Sequence, residues 1–203
     1  GRNIFFLLPP SAKVVLWPTM FLSNLFERAA PHRFAFLIAF SSGMVLGLAL
    51  FSPFFPVEIV QNAPLPDLAH FGYSPEETRA WYEAIGETGR SRYAYVAYPI
   101  DVAIIIPAYT LLMSSQLYVW TKNESDSSYW RHVSYLPIIA ALSDLVETSI
   151  HSFAVGVDYP NNVPSDPVLE LASLSTQGKY VCFNVAVLLC FGSLFFPRKS
   201  KSS

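Results

Sequence analysis

Asp144, Glu147 and His151 stand at i, i+3 and i+7, a spacing that puts three protonatable side chains on one helical stripe, rising about 4.5 Å and then about 6 Å. Lys179 lies in a second apolar stretch and Asp101 in a third. Ionisable groups in such stretches are expensive and turn toward protein or a cavity, so these five residues form a candidate site. Three acids against one lysine leave negative charge in excess in a low dielectric, which a proton or water must relieve. Thr148, Ser152, Thr176, Gln177 and Asn184 are at hand as hydrogen-bond partners for the same pocket.

Four kinds of chemistry suit this set. A structural ion-pair network comes first, because Lys179 needs an acid partner inside an apolar bundle whatever else is true. A pocket for a small lipid or sterol also fits, since such sites are apolar walls with a few converging polar groups. A metal could use Glu147 and His151, but no third ligand follows at a metal-binding spacing, so no metal is assigned. A proton relay along the stripe is the fourth.

Other catalytic patterns are missing: no Gly-rich phosphate loop, G-x-S-x-G, H-E-x-x-H or C-x-x-C occurs. Cys182 and Cys190 lie about 12 Å apart on one helix and cannot bond to each other. His32, His70 and His132 fall near the ends of the apolar stretches and read as solvated, with axial ligation of a pigment or haem a minor alternative for any histidine. The balance is toward a protein that is not an enzyme, with a bound lipid admitted and the cofactor left open.

Four stretches must position these groups. The chain has 203 residues, 52% hydrophobic and 14% charged, with a mean hydropathy of +0.35, whereas a soluble chain is roughly 25% charged. A bilayer core about 30 Å thick needs about 20 apolar residues, and residues 34–55, 98–120, 133–155 and 171–196 each qualify. The fold class is therefore an all-α integral membrane protein, a four-helix transmembrane bundle. Net charge of -2 supplies no basic footprint for nucleic acid.

Loop charge sets the expected threading. Arg2, Lys13, Arg28, Arg33, Lys122, Arg131, Arg198, Lys199 and Lys201 share one face, against Arg79, Arg90 and Arg92 on the other. Both termini are therefore expected inside, in cytoplasm, matrix or stroma. Tyr93, Tyr95 and Tyr98 at one end of span two, and Tyr118, Trp120, Tyr129 and Trp130 at the other, match interfacial belts. The Asn123-Glu124-Ser125 sequon then falls on the inner side, away from glycosylation.

Residues 1–33 form an N-terminal arm, with Phe21, Leu22, Leu25 and Phe26 on one face of an interfacial helix. The apolar run Ile4 to Leu8 stops at Pro9-Pro10 and is no signal peptide. The sequence starts at Gly1 without an initiator Met, so an upstream segment is expected either to have been removed by processing, an organelle-targeting sequence being one option, or to be unrepresented in this sequence. In the long outer loop, Ser74, Pro75 and Glu77 have the pattern of a capping box, opening an amphipathic helix over about 75–86 that Gly86 and Gly89 end. This helix is expected against the outer membrane surface or over the bundle mouth. Residues 197–203 form a basic tail. Pro107 predicts a kink in span two that frees a carbonyl near Ala103, and Ala39, Gly43 and Gly47 form a small-residue face for helix packing in this bundle or docking to another subunit.

The ordered set Phe71-Gly-Tyr-Ser-Pro-Glu-Glu, Tyr98-Pro-Ile-Asp101, Leu136-Pro137 with Asp144-Leu-Val-Glu147, and Leu171-Ala-Ser-Leu-Ser-Thr-Gln-Gly-Lys179 resembles a family of small four-span bacterial membrane proteins. The likeness covers roughly residues 67 to 195. It implies that the acids and Lys179 belong to the pattern of the fold, and it brings no activity with it. Thr148 stands where the resemblance implies an Asn. A looser similarity joins the chain to the EXPERA type of four-span protein, the sterol-isomerase class, without residue-by-residue motifs. The expected function is a non-catalytic accessory subunit of a larger membrane complex, in an organelle or other energy-transducing membrane, with other membrane subunits and lipids as partners. The alternative is a lipid- or sterol-handling protein built on Asp101, Asp144, Glu147, His151 and Lys179.

Overall fold

A computed structural model describes residues 21–51, 69–123, 129–156, 159–161 and 163–195. Residues 1–20 of the arm, the loop 52–68, sequon positions 124 and 125, and the tail 197–203 lie outside the described residues. Every element among the described residues is helical. Three helices, Gly86–Thr121, His132–Ala154 and Asp166–Phe195, are long and apolar enough to cross a membrane.

The arm helix α1 covers residues 21–29. Phe21 and Leu25 are exposed while Phe26 is buried, its ring 5.9 Å from Tyr118 and 6.5 Å from Tyr135. One residue of the apolar face thus ties the arm to the bundle. A 3-10 turn at Ala30–His32 leads into α2, Arg33–Phe51. Gly43 of the small-residue face packs within the chain: a Cβ added there would lie 2.9 Å from Cγ1 of Ile105 and 3.3 Å from Cγ2 of Ile104. Ala39 on the same helix is half-buried.

Helix α3, Pro75–Ala84, opens on a complete capping box. The Ser74 N–H donates to Glu77 Oε2 at 2.7 Å and the Glu77 N–H to Ser74 Oγ at 3.2 Å, satisfying two N–H groups that a helix start leaves orphaned. Gly86, at φ 63, turns the chain where a side chain would strain it. Gly89, expected to end this helix, instead sits buried inside the next one.

That next helix, α4, runs through Gly86–Thr121, twelve residues upstream of the predicted start of span two. It is widened by π turns at Tyr93–Ala97 and Asp101–Ile105. Each turn ends two residues before a proline, Pro99 and Pro107. Proline lacks an N–H and crowds the carbonyl four residues back, so widening the ladder to i→i+5 is a local accommodation. The Ile106 N–H accordingly bonds the carbonyl of Asp101.

After a 3-10 turn at Tyr129–Tyr135, α5 covers Leu136–Gly156 and α6 Asp166–Phe195. At 1.5 Å per residue α6 is about 45 Å long, enough to pass the hydrocarbon core and reach α3. The interior has three levels. Trp81, Tyr82, Ile85, Tyr93 and Leu169 pack at the α3 end. Ile106, Tyr109, Ala140 and Ala141 meet Phe40 and Phe183 in the middle, and Met113, Leu117 and Ala186 fill the end near Thr121.

Candidate functional site

Small residues let α5 and α6 come close, and the charged stripe faces that seam. A Cβ added to Gly178 of α6 would sit 3.5 Å from Ser143 Oγ of α5. One residue on, Lys179 reaches between two carboxylates: its Nζ is 2.5 Å from Glu147 Oε2 and 3.2 Å from Asp144 Oδ1. Glu147 is 0% exposed and Lys179 9%. Helix α4 joins through Tyr109, whose hydroxyl donates to Asp144 Oδ2 at 3.2 Å. Thr148, in place of the implied Asn, brings its Oγ1 to 3.4 Å from Asp144 Oδ1.

His151 belongs to a second, separate cluster. Its Nε2 is 2.7 Å from the Tyr73 hydroxyl and its Nδ1 2.8 Å from the Tyr82 hydroxyl. A neutral imidazole donates at one nitrogen and accepts at the other, so the two tyrosines take opposite roles. Thr176 Oγ1 lies 3.2 Å from the Tyr73 oxygen. Its single hydroxyl proton serves either that oxygen or the Ala172 carbonyl at 3.1 Å. The Trp81 ring stands edge-on to the imidazole, 6.1 Å between centroids at 72°. Burial pushes the Tyr82 phenol well above its ordinary range, which keeps it a neutral hydrogen-bonding group.

The segment Ala69–Ser74 places Tyr73. Gly72, at φ 89, passes so close to α6 that an added Cβ would stand 2.7 Å from Ser173 Oγ; only glycine suits both demands. The Tyr73 N–H donates to that same Ser173 oxygen at 2.9 Å. His70 stacks on Tyr180 at 3.9 Å and 17°, and Lys179 Nζ is 5.4 Å from the Tyr180 centroid. Outside, Arg79 pairs with Asp166 and closes α3 onto the start of α6.

The predicted residues therefore separate. Asp144, Glu147 and Lys179 meet as one ion cluster, while His151 serves the tyrosine cage. Asp101 lies half-buried in its π turn on α4. Thr176 joins the cage, Ser152 is buried without a hydrogen-bond partner among the described residues, and Asn184 is exposed, away from the pocket assigned to it. Ligation of a metal by His151 would require one tyrosine bond to break. No cluster of three or more potential metal ligands occurs among the described residues.

Four contributors escaped sequence reasoning: Tyr73, Trp81, Tyr82 and Tyr109. Three had a signal. Once Ser74 sets the helix phase, Thr78, Trp81, Tyr82 and Ile85 fall on one face, and all four are buried. Helix α3 therefore covers the bundle mouth. Tyr109 had none, because the π turn after Asp101 shifts the helical phase between the two residues. No family profile, curated protein or solved structure matches this chain.

Proposed function

We propose that this chain is a non-catalytic, four-span structural subunit of a larger membrane complex, threaded with both termini on the inner side. The observation that carries the proposal is that the ionisable groups are engaged in holding helices together. Lys179 joins α6 to Asp144 and Glu147 of α5, and His151 joins α5 to Tyr73 and Tyr82 of the cap. A catalytic constellation needs a reacting position within reach of its acid or base; here Asp144 is taken up by Lys179 and Tyr109, and His151 by two tyrosines.

Two further features support the reading. Helix α2, nineteen residues long and free of charge after Arg33, has the length that a fourth span needs beside the three longer helices. The quoted likeness to small four-span bacterial proteins falls on the parts that hold the fold: Gly72 and Tyr73, the Ser74 cap, Asp144, Glu147 and Lys179. Large apolar side chains such as Val181, Leu188, Phe191 and Phe195 face outward along α6, a surface for lipid and for neighbouring subunits.

The test is extraction of native membranes in gentle detergent, with mass determination of everything that travels with the chain. A reproducible set of membrane subunits is expected. A stable monomer that purifies alone overturns the proposal. Substitution supplies a second arm: Asp144→Asn, Glu147→Gln and Lys179→Met lower the folded yield if the cluster is structural. Intact folding with loss of a bound small molecule would sink that reading.

A further inference from the structure

A groove of about 660 Å³ opens between α2, α4 and α6, in the half of the bundle away from the His151 cage. Its walls are apolar, carrying Leu37, Met113, Val187, Phe191 and Leu194, and its volume lies within the range of small-ligand sites. One end is blocked by aromatic rings: Tyr109 stands edge-on to Phe40 at 6.3 Å and to Phe183 at 5.3 Å. The other end holds Arg33, which bonds Gln116 and, through Nε at 2.9 Å, the carbonyl of Ala30. Gln116 in turn donates to Ser193 Oγ at 2.8 Å. This polar mouth is therefore braced by three helices.

We infer that the groove holds one acyl chain of an anionic glycerophospholipid, with its phosphate at Arg33. Length selects a lipid. From Phe183 to Leu194 the groove follows eleven residues of α6, about 16 Å, which matches one leaflet of a hydrocarbon core about 30 Å thick. A transmembrane helix from a partner would need a groove along the whole bundle, and this one stops halfway at the aromatic floor. Charge selects the headgroup. A guanidinium has five N–H donors, of which Ala30 and Gln116 take two, and arginine pairs with phosphate oxygens by charge-assisted bonds. A zwitterionic headgroup offers the same phosphate with a compensating cation. The inference goes beyond the subunit reading and does not depend on it.

The test uses the purified full chain in mild detergent, offered equimolar phosphatidylglycerol and phosphatidylcholine, with retained lipid counted by native mass spectrometry. About tenfold preference for phosphatidylglycerol is expected, the effect of one charge-assisted contact. Arg33→Gln abolishes the preference, Arg33→Lys keeps most of it, and Leu37→Trp lowers retention of both lipids by filling the groove. Equal retention of the two lipids by the unaltered chain overturns the inference, whatever the variants do. Retention of added palmitate in place of phospholipid overturns it in favour of a free fatty acid. Crosslinking of Leu37→Cys to another protein in native membranes overturns it in favour of a partner helix.

Discussion

The two halves of this bundle solve different problems. In the half that holds Lys179 and His151, side chains from α3, α4, α5, α6 and the segment before α3 converge on each other. In the half that holds Arg33, three helices stand apart around an apolar groove. Unmatched polar groups in hydrocarbon cost several kcal/mol, so protein must supply their partners. Apolar walls carry no such penalty when lipid covers them. The closed half is therefore where single substitutions should be felt.

The largest loss is expected from Lys179→Met, which leaves Asp144 and Glu147 facing each other without their cation. Breaking a buried pair this way costs about 3–5 kcal/mol; thermal unfolding in detergent measures it. Survival of the variant at wild-type stability would show that the acids are not charged partners of Lys179. Next comes Gly72→Ala, at about 1–3 kcal/mol from a positive φ and a close approach to Ser173. Its effect should be concentrated in hydrogen exchange of α3, because Gly72 leads directly into Tyr73 and the cap.

Tyr82→Phe removes one bond to His151 and should cost about 1–2 kcal/mol at neutral pH. It also sharpens the comparison through pH. Burial holds the Tyr82 phenol above its ordinary 10.0 in the folded chain. The unfolded chain thus loses this proton first as pH rises. Stability contributed by the neutral phenol is complete below pH 10 and falls above it. The native protein should lose stability above pH 10 more steeply than Tyr82→Phe, and equal slopes would place the titration elsewhere. The smallest change is expected in the open half, where Leu194→Ala should stay within about 0.5 kcal/mol.

Much of the closed half was legible because its signals are local. Spacing alone put Asp144, Glu147 and His151 on one face, and the Ser74 and Glu77 pair marked the start of α3 to the residue. The division of that face into an ion cluster and a tyrosine cage was not legible. It depends on Tyr73 and Tyr82, more than 65 residues from His151, and no local pattern reports a contact at such separation. The end of α3 was legible at Gly86, but the role of Gly89 was not, for a related reason. Gly86 and Gly89 have the same local propensity to break a helix, yet only Gly86 turns the chain, while Gly89 is covered by Ile85 with its Cβ position 2.8 Å from that side chain.

Composition and periodicity by themselves determined the membrane-compatible helices, because the length of apolar runs and the cost of charge within them are properties of the chain and its solvent. Capping likewise belongs to four consecutive residues. Tertiary structure alone decided which acids meet Lys179, what surrounds His151, and that Gly43 is occupied by Ile104 and Ile105 of the same chain. Those outcomes are set by the approach of whole helices, including the phase shift that two π turns introduce into α4. Such a shift rotates every side chain beyond it, so a face counted along the sequence is not the face the folded helix presents.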